Sequence, residues 1–402
     1  MWQAMTPEVI LAFGFWVCFL LVAYAYVIYP IMIWVFAQLF GRFHQRPIVP
    51  PIWPTATLLI AAYNEEDAIG QTLQSALRTE YPSDRFAIVV GSDGSDDRTV
   101  EIATEVGGNR IRVFDYKERR GKASVLNSLM QEIDTEIVVL SDANTEIDPQ
   151  AFRYLLRWFS DPTIGAVCGR LVLTDPVSGT NADGLYWKYE TFLKSCEAKL
   201  GALLGANGAI YAIRRDQYVA ISPTTIVDDF VIPLLAQQRT GCKLIYEREA
   251  IAREETPANV AAEFHRRSRI GAGGFQAIGM LWRMLNPLRG WVAFSFLSHK
   301  VLRWLCPFFL LGMIVTNVAL AALGPMLYVR LFIAQILFYV IAAIAAVVPG
   351  RHPVLRVVRL TTMFISMNLA LLIGFWRWLR GNQKAVWRRT VRTSLQETAA
   401  MR

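Results

Sequence analysis

The sequence predicts an α/β fold: a doubly wound, mostly parallel sheet inserted between transmembrane helices, with amphipathic interface helices beside it. Three observations carry this. The 402 residues are 54% hydrophobic and only 18% charged, away from the balance of soluble domains. The apolar residues gather in long uninterrupted runs toward the two ends of the chain. Between those ends, from Thr57 onward, short apolar runs alternate with amphipathic stretches in the βαβ rhythm of a parallel sheet.

The first run, Val9 to Leu39, holds no charged side chain and exceeds the roughly 20 helical residues that cross a hydrocarbon core of about 30 Å. It is too long for a cleaved signal peptide, and no basic residue precedes it. Three further runs follow late in the chain: Trp304 to Leu323, Met326 to Val348 with Arg330 inside it, and Val357 to Trp378. The breaks between them are Gly324-Pro325 and Pro349-Gly350-Arg351-His352-Pro353. The expected organisation is an N-terminal transmembrane helix at 1–45, a cytosolic α/β domain at 50–270 and amphipathic membrane-interface helices at 271–302. About three transmembrane helices at 303–380 and a basic tail at 381–402 complete it.

Arg42 and Arg46 follow the first run, whereas Met1 to Glu8 contains no Lys or Arg. The positive-inside bias therefore places residues 41–300 in the cytoplasm of a multi-pass protein of the cytoplasmic (inner) membrane. Three C-terminal spans would then deliver a tail with Arg377, Arg380, Lys384, Arg388, Arg389 and Arg392 to the outer side, against the same bias. Either one of the runs is re-entrant or interfacial, or the charge of the tail is outvoted.

The formal charge of +8 does not mark a nucleic-acid binder. Lys and Arg concentrate beside the membrane runs and near Arg266, and no basic patch is interleaved with aromatics; membrane lipid and a diphosphate are the expected partners. Cys18, Cys168, Cys196, Cys242 and Cys306 show no paired spacing and read as reduced thiols. His265 and His299 lack a second ligand at metal spacing and read as structural or interfacial.

Within the middle domain, Leu58 to Ala62, Ala87 to Val90, Ile111 to Phe114 and Ile137 to Leu140 read as strands. Glu66 to Arg78, Thr99 to Val106 and Lys122 to Ile133 read as the helices between them. Ligands of open parallel sheets bind beyond the carboxyl ends of the strands, at the switch point. The residues there are polar: Tyr63-Asn64-Glu65-Glu66, Ser92-Asp93-Gly94-Ser95-Asp96-Asp97 and Ser141-Asp142-Ala143-Asn144. Any one of these clusters reads equally well as helix caps and turns. Three at successive strand ends, one with Asp and Asn two apart on the same side of a strand, point to a polar ligand. Asp228-Asp229, ahead of a helix over Phe230 to Arg239, reads as its N-cap.

In order along the chain, Ala61-Ala62-Tyr63-Asn64-Glu65-Glu66, Gly91-Ser92-Asp93-Gly94-Ser95-Asp96, Arg120-Gly121-Lys122-Ala123, Ser141-Asp142-Ala143-Asn144, Gly205-Ala206-Asn207-Gly208-Ala209 with Arg214-Arg215, and Val227-Asp228-Asp229-Phe230 resemble the inverting family-2 glycosyltransferases of GT-A fold. This is the membrane group that includes hyaluronan, chitin and cellulose synthases. The resemblance implies that Tyr63, Glu65 and Asp93 contact uridine and that Lys122 lies near the base and diphosphate. Asp142 and Asn144 would form the metal motif, with oxygen ligands suited to Mg²⁺ or Mn²⁺. The commoner motif ends in a second Asp; Asn144 leaves Asp142 its sole carboxylate, so metal binding would lean on the donor's diphosphate.

Asp229 matches the general base, with Asp228 and Asn207 on the acceptor side; Trp187 reads either as lining an acceptor groove or as helix-core packing. Arg266, Arg267 and Arg269 lie where processive relatives carry a Gln-x-x-Arg-Trp motif that grips the donor diphosphate. The cation is kept here and the Trp is absent, so processive chain extension is not implied. The expected activity is inverting transfer of a hexose or N-acetylhexosamine from a UDP-sugar to a lipid-linked or growing polysaccharide acceptor; an oligomer is compatible with the sequence. The alternatives are a polyprenyl-phosphate sugar synthase, and an inactive scaffold or transport subunit of a polysaccharide synthase complex.

Overall fold

The computed structural model describes residues 6–42, 47, 50, 52–174, 184–256, 260–348 and 353–381. The first apolar run forms α1 (Pro7–Ala23), a π-helical stretch at Tyr24–Ile28 and α2 (Tyr29–Leu39), one continuous helix of 33 residues. Strict alternation follows: β1 (Ala56–Ala62), α3 (Ile69–Leu77), β2 (Phe86–Asp93), α4 (Thr99–Gly107), β3 (Ile111–Tyr116), α5 (Lys122–Leu129) and β4 (Ile137–Asp142). Next come β5 (Glu146–Ile147), α6 (Ala151–Leu156), β6 (Ile164–Thr174), α7 (Leu185–Lys199), β7 (Tyr211–Arg214), α8 (Asp228–Thr240) and β8 (Lys243–Glu255). The last helices are α9 (Val260–Met280), α10 (Trp291–Ser295), a π-helical stretch at Phe296–Val301, α11 (Leu302–Leu323), α12 (Met326–Val347) and α13 (Pro353–Leu379).

The strands make one sheet in the order β3-β2-β1-β4-β7-β6-β8-β5. β1 pairs in parallel with β2 on one side and β4 on the other, so the strand order reverses there and opens the switch-point crevice at the carboxyl edge. All seven residues of β1 are buried. This follows from helices on both faces: Ile69 and Leu73 of α3 and Phe152 of α6 share one core with Leu58 and Ile60. On the other face Val125 and Leu129 of α5 come against the β2 backbone at Gly91. β7 is antiparallel to both β4 and β6, and β8 is parallel to β6.

Three strands run past their expected ends, to Asp93, Tyr116 and Asp142, because the ladder continues through the polar residues: Ala62 pairs with Ser92, Asp93 with Tyr116 and Ala61 with Asp142. α3 begins at Ile69 rather than Glu66. The N–H groups of Asn64, Glu65 and Glu66 donate to Ser95, Thr99 and Asp97, which holds this stretch in a turn.

The chain divides into two compact units. Described residues up to 32, with 263–275 and 296–381, form one; 33–256, 260–262 and 276–295 form the other. Among the described residues, four helices are long and apolar enough to cross a membrane: Pro7–Leu39, Trp291–Leu323, Met326–Ala346 and Val358–Leu379. The second begins 13 residues before the expected Trp304, since α10 and the π-helical stretch run on into α11.

Candidate active site

The loops after β1 and β2 are bound to each other. Asn64, in the left-handed region at φ 51°, accepts from the Asp96 N–H at 3.0 Å through its side-chain oxygen and donates its amide N–H to the Asp96 carboxylate. Asp97 Oδ1 caps the Thr99 N–H at 3.0 Å. Asn64, Asp96 and Asp97 thus do the work of turns and caps, while Glu65 is buried beside them.

Asp93 ends β2 fully buried. Its Oδ1 accepts from the Arg120 N–H at 2.7 Å and its Oδ2 from the Gly121 N–H at 2.9 Å. Burial pushes its carboxyl up, and these two N–H groups pull it back. The result is a loop pinned under Asp93, with Arg119 lying over the Tyr63 ring at 3.5 Å. Gly121 has φ 89°, which lets the chain turn from the pinned loop into α5. Lys122 is therefore the first residue of a helix whose backbone is fixed.

The ammonium of Lys122 bridges the carboxylate that ends β4 and the one that begins α8, at 2.6 Å from Asp142 Oδ1 and 3.1 Å from Asp228 Oδ2. Burial alone would lower its pKa, but Asp142 and Asp228 together hold it charged, well above the usual lysine range. A Cβ at Gly208 would collide with the Asp142 carboxylate, so glycine is required opposite β4. Asp228 and Asp229 form the first turn of α8, whose N-cap position is Val227 and is not capped by a side chain. The expected helix start at Phe230, with an aspartate as cap, is corrected by these two residues; their charges instead sit favourably at the helix N-terminus. Asp229 is pushed up to about 6, first by burial and then by Asp228, against the pull of Lys122. Its carbonyl accepts from the Ala206 N–H at 3.0 Å, which ties the 205–207 loop to the helix start.

Lys194, absent from the sequence reading, is the second cation here. It projects from α7 to 3.6 Å from Cys168 Sγ and lies over the Tyr246 ring at 5.6 Å. Burial would lower its pKa, but Cys168, Tyr246 and Asp229 together raise it, and its charge in turn stabilises ionised Asp229. Tyr211 is also new: it is buried on β7 with an unpartnered hydroxyl among the charges of Asp228, Asp229 and Asp142. Asn207 spends its amide on structure, donating to the Gly169 carbonyl at 2.8 Å and accepting from the Ile210 N–H at 3.2 Å. Trp187 lies half-buried on α7, edge-on to Tyr186.

The oxygens of Asp142 and Asn144 suit a hard divalent ion, and the Asn144 side chain has no hydrogen-bond partner among the described residues. Those residues contain no group of three or more His, Cys, Asp or Glu side chains able to hold a metal. The protein thus offers part of a shell, which fits Mg²⁺ or Mn²⁺ completed by water and a bound diphosphate. Arg266, Arg267 and Arg269 lie on α9; the first two share Glu263, at 2.9 and 2.7 Å.

The mixed sheet thus places a lysine-bridged carboxylate cluster at the carboxyl edge of its parallel strands, where α/β sheets bind polar ligands. Residues 57–217 match the family model described as Glycosyl transferase family 2. The sequence is 28% identical over 229 residues to poly-beta-1,6-N-acetyl-D-glucosamine synthase of Staphylococcus aureus strain MSSA476, covering 55% of each chain. It is 27% identical over 228 residues to the synthase of Staphylococcus epidermidis, again 55% of each. The chain spans about half the length of the curated relatives it matches. Its fold superposes on that of a mannosyltransferase from Pyrobaculum calidifontis, solved with GDP-Man and Mn²⁺, with TM-score 0.70, 20% identity and coverage of 91% of this chain and 99% of that one. The chain carries a family-2 glycosyltransferase domain, and its sheet is the GT-A fold, as the resemblance implied.

Proposed function

We propose that the protein is an inverting glycosyltransferase that moves a hexose or N-acetylhexosamine from a UDP-sugar to a lipid-linked or growing polysaccharide acceptor at the inner face of the membrane. The observation that carries this is the carboxylate cluster at the β4 edge, with Asp229 held near neutrality. A base of pKa about 6 is ionised at physiological pH yet basic enough to take a hydroxyl proton. Asp229 would accept that proton as the acceptor oxygen attacks the anomeric carbon opposite the leaving diphosphate. Asp228 fixes Lys122, and Lys194 keeps Asp229 ionised. Tyr63, Glu65 and the loop pinned by Asp93 would hold the nucleoside. Trp187 and the Asn207 loop would border the acceptor.

Charge balance supports a metal. Asp142, Asp228 and Asp229 against Lys122 and Lys194 leave the cluster negative, and a diphosphate adds more. Asp142 and Asn144 would hold Mg²⁺ or Mn²⁺, whose chemistry when bound is to neutralise the diphosphate as it departs.

The test is transfer by the purified full chain from a panel of UDP-sugars with Mn²⁺, with products read by mass spectrometry. Asp229→Asn is expected to lower turnover by on the order of 10² or more while UDP affinity stays within a few-fold. Collapse of UDP affinity with unchanged turnover of bound donor would remove Asp229 as the base. A mild-acid-labile monosaccharyl lipid as sole product would identify a polyprenyl-phosphate sugar synthase instead.

A further inference from the structure

Among the four long apolar helices, α13 is the least apolar: its best window has mean hydropathy 1.6, against 2.1 to 2.3 for the others. Thr361, Thr362, Ser366 and Asn368 interrupt its middle, and Trp376-Arg377-Trp378 closes it. Its neighbours in the same unit fix its direction. α1 and α11 run antiparallel, with Gly14 beside Thr316 and Cys18 beside Gly312. α12 returns along α11, Asn317 meeting Gln335 at 3.1 Å. The end of α12 and the start of α11 therefore lie at the same end of this bundle.

α13 sets out from that end. Arg359 donates to the Val348 carbonyl at 3.1 Å, and the Thr362 hydroxyl to the Ala342 carbonyl at 2.7 Å. At 1.5 Å rise per residue, a helix crossing the membrane would carry Phe375 about 20 Å deeper than Thr362, to about the level of Leu323 at the far end of α11. Phe375 instead packs on Phe308, near the start of α11, with ring centroids 4.8 Å apart, and on Phe275 of α9 at 5.1 Å. Between these contacts Asn368 donates to the Tyr26 hydroxyl at 3.1 Å, and the Tyr26 ring faces Arg303, the second residue of α11, at 5.3 Å. Near its close, Gly374 lies so near α9 that a Cβ there would meet the Ser268 carbonyl and the Ala272 N–H at 2.7 Å. α13 thus touches α12, the π-helical stretch at Tyr24–Ile28, α11 and α9, all in the half of the bundle where α11 begins.

We infer that α13 lies in the plane of the membrane interface, across the end of the bundle where α11 begins, and does not cross the bilayer. The partner of its outer face is the lipid headgroup surface. Leu369, Trp376 and Arg380 are exposed on it, the last two being the aromatic and cationic anchors that settle at that depth, while Trp378 stacks inward on Phe275. The chain then crosses the membrane with Pro7–Leu39, Trp291–Leu323 and Met326–Ala346 alone. Residues after α13 emerge on the side that holds residues 41–290, where the positive-inside bias wants Lys384, Arg388, Arg389 and Arg392.

Labelling of single introduced cysteines with an impermeant maleimide tests this on the full chain in intact cells and after permeabilisation, against the unaltered protein as background. Asp134→Cys reports the side of the α/β domain, Gly324→Cys the loop between α11 and α12, and Ser394→Cys the tail. The expected result is that Asp134→Cys and Ser394→Cys share one side and Gly324→Cys has the other. Ser394→Cys labelling with Gly324→Cys overturns the inference. A C-terminal epitope tag gives a second reading by protease digestion in sealed vesicles of both orientations. Its loss in the orientation that protects residue 134 overturns the inference equally, and neither readout depends on transferase activity.

Discussion

Lys122 sits where a metal would have to approach, 2.6 Å from Asp142 and 3.1 Å from Asp228. An ammonium and a divalent ion about 4 Å apart repel by about 8 kcal/mol at an effective dielectric constant of 20, so both cannot share Asp142. On the proposed function, metal entry would move the lysine toward the diphosphate of a bound donor. Lys122→Met is therefore expected to bind Mn²⁺ at least about tenfold more tightly without nucleotide, as read by electron paramagnetic resonance of free Mn²⁺, and to bind UDP more weakly. Lys122→Arg keeps the charge and should behave as the parent; unchanged Mn²⁺ affinity in the Met variant would refute the exchange. Asp229 follows from the same charges. Burial raises its folded pKa to about 6, above the ordinary carboxylate value of 3.8, so its contribution to stability is full below 3.8 and lost as pH rises through 6. Asp229→Asn should raise the unfolding free energy by on the order of 1–3 kcal/mol at neutral pH and leave it unchanged below about pH 4. Turnover of the parent should fall as pH drops through 6. Lys194→Met should move that limb upward by up to about one unit, and Lys194→Arg should restore it. Lys122, Asp142 and Asp228 were legible from motif order; Lys194 was not. Glu190 and Glu197 flank it at helical spacing, the pattern of a solvated ion-pair face, and only the fold reveals that the face is turned inward.

At the scale of elements, the parallel half of the sheet was legible because β1, β2 and β4 are covered on both faces and read as continuous apolar runs. The antiparallel half was not. β7 has four residues, and β8 mixes its apolar residues with Glu247, Arg248, Glu249, Arg253 and Glu254, so neither shows a clean period. The start of α8 depends on a tie that no local pattern announces. Gln276 donates to the Thr224 carbonyl at 2.9 Å and accepts from the Ile226 N–H at 3.2 Å, holding the loop that leads into Asp228 and Asp229. Gln276→Ala leaves that N–H and carbonyl to water and loosens the helix start, which a proton-accepting group tolerates poorly. Turnover should fall several-fold to about tenfold with UDP affinity unchanged; a loss confined to UDP affinity would show that the tie serves the donor instead.

For the whole molecule, 41 Lys and Arg stand against 33 Asp and Glu, and residues 291–381 contain eight of those cations and no carboxylate. The entire formal excess of +8 therefore lies in the membrane-associated part of the chain, and the remainder is balanced. Such a distribution does nothing for a soluble polyanion and everything for a bilayer with anionic headgroups, where each cation near the surface contributes about 1 kcal/mol. With α13 in the interface, Arg359, Arg377 and Arg380 fall at headgroup depth. The full chain in nanodiscs should be more thermally stable and turn over faster as anionic lipid replaces neutral lipid, and the gain should shrink as salt screens it over a Debye length of about 10 Å at 0.1 M. Replacing those three arginines by glutamine should flatten the lipid dependence while leaving nucleotide affinity in detergent unchanged. A gain that persists in the triple variant would move the lipid contact to Lys300, Arg303 and Arg330, the cations of the spanning helices.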